Sequence, residues 1–153
     1  QGRRPRVAVL IGSLLRAPHV SEQLLANLFN DRSVWYWVFI YTAPLIVYEH
    51  NQDCNVLVQR LRHQLRGRLT VRYATRSENE VEEAFHADVG SRHMRQWFKL
   101  EIAYEMMEAH ELTQGRTFDL VLKMRTDVLL PGPIDLADFP EVWSGRVLYS
   151  WTD

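Results

Sequence analysis

"RVAVLIG", residues Arg6 to Gly12, is a short apolar run of mostly β-branched side chains, preceded by Pro5 and ended by a glycine. Such a run reads as a buried strand. Outward from it the pattern alternates. "GSLLRAPH" is a loop, and "VSEQLLANLFN" has helical spacing, with Leu24, Leu25, Leu28 and Phe29 on one stripe and Ser21 as its N-cap. "VWYWVFIYT" (Val34 to Thr42) is a second buried strand. "NVLVQRLRHQL" is an amphipathic helix with Leu57, Leu61 and Leu65 in register, and "LTVRYAT" is a third, shorter strand.

"RSENEVEEAFHADVGSRH" is polar and predicts a loop with a single helical turn. The longest helix is expected from about Ser91 to Thr113, stopped at Gln114 and Gly115. Its core stripe is predicted at Trp97, Leu100, Tyr104 and Met107, with Glu101, Glu105 and Glu108 on a solvated face. "FDLVLKMR" is a fourth strand, "PGPIDLADFPEVWSG" a loop and "RVLYSW" a last strand. Strands alternating with helices predict a three-layer, Rossmann-like α/β domain around a mostly parallel sheet. No repeat or linker divides residues 1–153, so one domain is expected.

A hydrophobic content of 46% and a charged content of 24% suit a globular chain with a real core. The net charge of -1 gives no global attraction to nucleic acid, and no apolar run approaches a membrane span. The basic run "RLRHQLRGR" (Arg60 to Arg68) reads as a solvated helix face with a basic end in preference to a phosphate-binding patch. The single cysteine, Cys54, excludes an internal disulfide and a cysteine-rich zinc site. The six histidines lack metal spacing, and the five tryptophans read as core and interface. The start at Gln1 and the strand-like end "VLYSWTD" predict a fragment cut at its C-terminus.

Open parallel sheets bind ligands beyond the carboxyl ends of their strands. Two groups fall there, and a third candidate lies at a helix start. Gly12, Ser13 and Arg16 lie in the loop after the first strand, where exposed amides and a guanidinium favour an anion; a plain turn fits that loop equally well. Neither GxGxxG nor GxxxxGK[ST] is present. Lys123, Arg125 and Asp127 fall at every second residue of "KMRTD", on one face of a strand end. Asp127 there suits a divalent cation, and the two cations suit phosphates directly; a solvent-edge strand end with Asp127 paired to Arg125 or acting as a cap is the plainer alternative. Arg92, Arg95, Gln96 and Lys99 crowd the start of the long helix, for which a solvated amphipathic turn is the simpler reading.

The ordered set of pieces resembles certain GT-A-like nucleotide-sugar glycosyltransferases. "GSLLR" is similar to their "sGqlR" signature, and "VWYWVFIYTAP" to their "DvFihtW" strand. "RQWFKLEIAYEMMEAHELTQGRTFDLVLKMRTDVLLPGPIDL" (Arg95 to Leu136) resembles their "QxxKL" helix followed by "YDxVxRxRPD". The resemblance implies binding of a nucleotide-diphosphate sugar and transfer of the sugar to a hydroxyl of a glycan, protein or lipid acceptor. Gly12, Ser13 and Arg16 then fall at the nucleotide-binding loop, and Gln96, Lys99, Lys123 and Arg125 at the donor site. Asp127 would hold Mn2+ or Mg2+, with Arg125 in place of the first carboxylate of a DxD motif. Thr126 stands where proline is usual, Lys123 where arginine is common, and the aspartate of "DvFihtW" is missing near Tyr36. The chain would be part of a longer enzyme whose acceptor half supplies the catalytic base, cytoplasmic in a bacterium and in the Golgi lumen of a eukaryote. A non-enzymatic module that keeps the fold and a PAPS-dependent sulfotransferase using the Gly12–Arg16 loop are the alternatives.

Overall fold

The apolar run at the head of the chain forms β1 (Arg6–Gly12), buried from Arg6 to Ile11 because a hydrogen-bonded strand lies on each side of it. The computed structural model describes residues 2–12, 23, 26–27, 29–42, 51–89, 92–125 and 132–144, without the side chains of 51–55, 82, 85–89 and 92–96. After β1 come β2 (Trp35–Thr42), α1 (Asn51–Leu65), β3 (Leu69–Tyr73), α2 (Arg76–Val89), α3 (Arg92–Gln114) and β4 (Leu120–Lys123). A 3-10 turn (Leu136–Asp138) and the short α4 (Pro140–Trp143) come next. The strands form a four-stranded sheet in the order β3-β2-β1-β4, with every pair parallel. Parallel strands are covered on both faces, which is why β1 is a continuous apolar run.

Alternation along β1 divides the core in two. Val7, Val9 and Ile11 pack with Leu57, Leu61 and Leu65 of α1, the stripe predicted for that helix. Ala8 and Leu10 face the other way and pack with Ala103 and Met107 of α3. Helices therefore cover both sheet faces, as expected of a three-layer α/β domain. Residues 23, 26, 27 and 29 are helical, and Phe29 packs against the α1-side core. Ser21, Leu24, Leu25, Leu28 and the expected last strand "RVLYSW" lie outside the described residues.

Three expectations are corrected. The polar stretch after Thr75 is a 14-residue helix, α2, and not a loop with one turn. Its start is fixed by a reciprocal cap: the Glu78 backbone N–H donates to Thr75 Oγ1 (3.2 Å), and the Thr75 N–H donates to Glu78 Oε2 (2.7 Å). This is the T-x-x-E capping box, visible in the sequence but outweighed there by the polarity of the helix it starts. Glu78 also accepts from the Tyr41 hydroxyl (3.1 Å) and pairs with Arg72, so the cap ties α2 to the carboxyl ends of β2 and β3. Thr75→Ala is expected to lower stability by about 1 kcal/mol, read as a lower urea midpoint at unchanged slope.

The second correction concerns α3. Trp97 and Tyr104, predicted in the core, are 57% and 44% exposed. The other two predicted positions hold, with Met107 buried and Leu100 partly so, and Ala103 joins them, with Ile102 and Met106 partly buried beside them. Glu101, Glu105 and Glu108 are exposed as predicted. The third concerns "PGPIDLADFPEVWSG", which carries the 3-10 turn and α4 and docks on the core through Leu136. Asp135 caps the turn by accepting from the Ala137 N–H (2.9 Å), and Trp143 Nε1 donates to the Leu136 carbonyl (2.9 Å).

Candidate functional site

α3 begins at the carboxyl edge of the sheet and runs back toward the amino edge. Leu100 lies against Gly12, the last residue of β1, whereas Phe118, just after α3, packs beside Arg6, the first residue of β1. The positive end of the α3 dipole is therefore at the carboxyl edge. Contact there is close: a Cβ on Gly12 would stand 2.5 Å from Lys99 C, 2.5 Å from Leu100 N and 2.8 Å from Leu100 Cα. Gly12 is not among the glycines with positive φ. Its lack of a side chain serves the approach of a helix backbone, a role in packing that its place after a strand had not disclosed.

β4 is hydrogen-bonded to β1 with Leu10 opposite Lys123, and the Met124 N–H donates to the Leu10 carbonyl (3.0 Å), so pairing continues past the strand end. Leu120, Leu122 and Met124 pack on the α1 side. The intervening Lys123 faces α3, where its Nζ sits 4.5 Å from the centre of the Trp97 ring. A cation over an indole face at an exposed site is worth about 0.5–1 kcal/mol. Trp97, which the helical pattern put in the core, is thus the platform for a predicted site cation. The small Ala103, which marks the face of closest approach, was the signal that would have turned Trp97 outward.

Gly12, Lys99, Lys123 and Arg125 thus come from three elements to one end of the sheet. Lys99 is half-buried and Arg125 exposed. The backbone of Gln96 lies in α3, one turn from Lys99 and Leu100; its side chain, and Ser13, Arg16 and Asp127 entirely, lie outside the described residues. On the β2–β3 side, the same edge is occupied by the Glu78 cap. The hydrogen bond from the Thr75 N–H, with help from Tyr41 and the charge of Arg72, holds that carboxyl below its ordinary range against the opposing effect of burial.

The three predicted side chains described at the β1–β4 end are ammonium and guanidinium groups. Such groups bind phosphate oxygens and do not ligate a divalent cation. Among the described residues no group of three or more His, Cys, Asp or Glu side chains is placed to hold a metal ion, and no helix is long and apolar enough to cross a membrane. Comparison with protein-family models, with curated proteins and with solved structures returns no match.

Proposed function

We propose that the carboxyl edge of β1 and β4 holds the diphosphate of a nucleotide-diphosphate sugar, and that the chain is a GT-A-like donor-binding domain of a glycosyltransferase. The observation that supports this most is the gathering of Lys99, Lys123 and Arg125 beside Gly12 at the ligand-binding edge of an all-parallel sheet. The motif order from "GSLLR" to "KMRTD" supports the same reading. In the transfer, the bond from the anomeric carbon to the diphosphate oxygen breaks with its electron pair on the diphosphate. The acceptor hydroxyl oxygen bonds that carbon and gives up its proton to a base. Lys99, Lys123 and Arg125 would stabilise the charge arriving on the diphosphate, the kind of electrostatic help that dominates such transfers. No step is assigned to a metal.

Calorimetric titration with UDP, GDP and PAP, each with EDTA and with Mn2+, tests this reading. Saturable UDP or GDP binding in EDTA is expected. Arg125→Ala or Lys123→Ala should weaken it by about tenfold or more, the value of a charge-assisted hydrogen bond. Asp127→Ala should change only any increment that Mn2+ adds. PAP binding alone would replace this reading by the sulfotransferase, and absence of nucleotide binding by a non-enzymatic module.

A further inference from the structure

The amino-terminal edge of the sheet carries a feature unrelated to the site above. β1 spans the sheet from Arg6 to Gly12, so the two edges are about 20 Å apart. At the Arg6 end is a cavity of about 400 Å³ with a cationic and aromatic wall. Arg3, Arg4 and Arg6 enter it from the N-terminal segment, Arg68 from just before β3, and Arg116 from just after α3. Trp35 and Trp37 of β2 complete it. Three separate stretches of chain thus bring five arginines to one small volume.

Arg4, Arg6 and Arg68 are held in place. Arg4 and Arg68 lie 4.6 Å from the centre of the Trp35 ring, and Arg6 lies 4.7 Å from those of both Trp37 and Phe118. Arg6 Nη1 donates to the Arg116 carbonyl (3.2 Å), and Arg68 donates to the carbonyls of Leu65 (2.9 Å) and Tyr36 (3.3 Å). Stacking on an indole leaves in-plane N–H groups directed outward. Among the described residues one carboxylate, Asp119, is in ion-pair range of the five: it stands 3.8 Å from Arg3 and accepts from the Arg6 backbone N–H (2.7 Å). Burial, and then the like charges of Arg4 and Arg66, push the Arg68 guanidinium below its ordinary value. Convergent like charge with one counter-charge is unfavourable unless an anion offsets it.

We propose that this cavity binds a small ligand through a tetrahedral oxyanion, a phosphate or sulfate group. A planar carboxylate offers two oxygens in one plane, whereas guanidinium forks arriving from several directions match the three or four oxygens of a tetrahedral group. The cavity accommodates such a group with a small organic substituent.

The test uses the chain labelled with 5-fluorotryptophan, its fluorine resonances assigned through Trp35→Phe, Trp37→Phe and Trp97→Phe, and titrated with phenyl phosphate, phenyl sulfate and benzoate. The expected result is a saturable shift of the Trp35 and Trp37 resonances, with Trp97 unmoved and affinity falling as NaCl is added. Arg4→Gln and Arg116→Gln, both at exposed positions, should each weaken binding by about tenfold and leave the unliganded resonances other than that of Trp35, whose ring Arg4 covers, unchanged. Tighter phenyl phosphate identifies a phosphorylated ligand, and equal or tighter phenyl sulfate a sulfated one. The proposal is overturned if neither compound moves Trp35 and Trp37, if benzoate binds as tightly, or if both glutamine variants bind as the parent does.

Discussion

Gly12→Ala is expected to destabilise the chain by about 3 kcal/mol, a large fraction of the stability of a domain this size. The methyl group would meet Lys99 C and Leu100 N at 2.5 Å and Leu100 Cα at 2.8 Å. All three are backbone atoms of a long helix, so no rotamer change relieves the overlap; α3 must move off β1. That movement opens the packing of Ala8 and Leu10 against Ala103 and Met107. It also displaces Lys99 and the Trp97 platform from Lys123, so nucleotide binding should fall even in the fraction that stays folded. Gly115→Ala makes the contrast. Gly115 has φ 61° and nothing within 4 Å of its would-be Cβ, so only the left-handed backbone resists the change, at about 1–2 kcal/mol. Urea denaturation of the two variants separates steric from conformational need. Equal small losses would mean that α3 does not lie against Gly12.

Asp31→Asn is expected to cost about 2–4 kcal/mol at neutral pH. Asp31 is 7% exposed and accepts from the Ser33 N–H (2.8 Å), the Ser33 hydroxyl (2.5 Å), the Leu136 N–H (2.9 Å) and the Tyr36 hydroxyl (3.3 Å). One carboxylate therefore ties the start of β2 to a segment 105 residues further along the chain. An amide in its place turns an N–H2 toward groups that are themselves donors, leaving buried donors unmatched. Burial alone would raise the Asp31 carboxyl, but the hydrogen bonds from Ser33, Leu136 and Tyr36 outweigh it, and the group lies below its ordinary 3.8. A carboxyl lowered by folding adds stability above its unfolded value and loses it as pH falls through the folded value. The parent should thus lose stability more steeply than the variant as pH falls below about 5, and their urea midpoints should converge in acid. Tyr36 stays a donor throughout, because burial and then the Asp31 charge push its hydroxyl well above its ordinary value. A gap between parent and variant that is constant with pH would mean that the carboxylate is not the acceptor.

The strands "RVAVLIG" and "VWYWVFIYT" were legible because burial on both faces of a parallel sheet leaves a local apolar signature, and the edge strand "LTVRYAT" because half-buried and exposed residues alternate along it. The α1 stripe of Leu57, Leu61 and Leu65 was legible for the same local reason. α2 was missed although Thr75 and Glu78 announced it, since a capping box is two residues against many polar ones. Around the candidate site, the alternation of Lys123 and Arg125 was legible and the role of Trp97 was not. Periodicity reports an apolar stripe but not which neighbour approaches most closely.

Local pattern alone, then, determined where the buried strands and the amphipathic α1 and α3 lie along the chain, and that charge collects at one strand end. Only the tertiary structure decided that β1 lies between β2 and β4, that α3 turns Ala103 and not Trp97 inward, and that Gly12 must be bare for a helix backbone to pass. The same holds for Arg3, Arg4, Arg6, Arg68 and Arg116, which lie in separate stretches of sequence and meet around Trp35 and Trp37. The physical reason is range. Hydrophobic period and capping are written between residues a few positions apart, whereas close packing and the meeting of like charges depend on segments that only the folded sheet brings together.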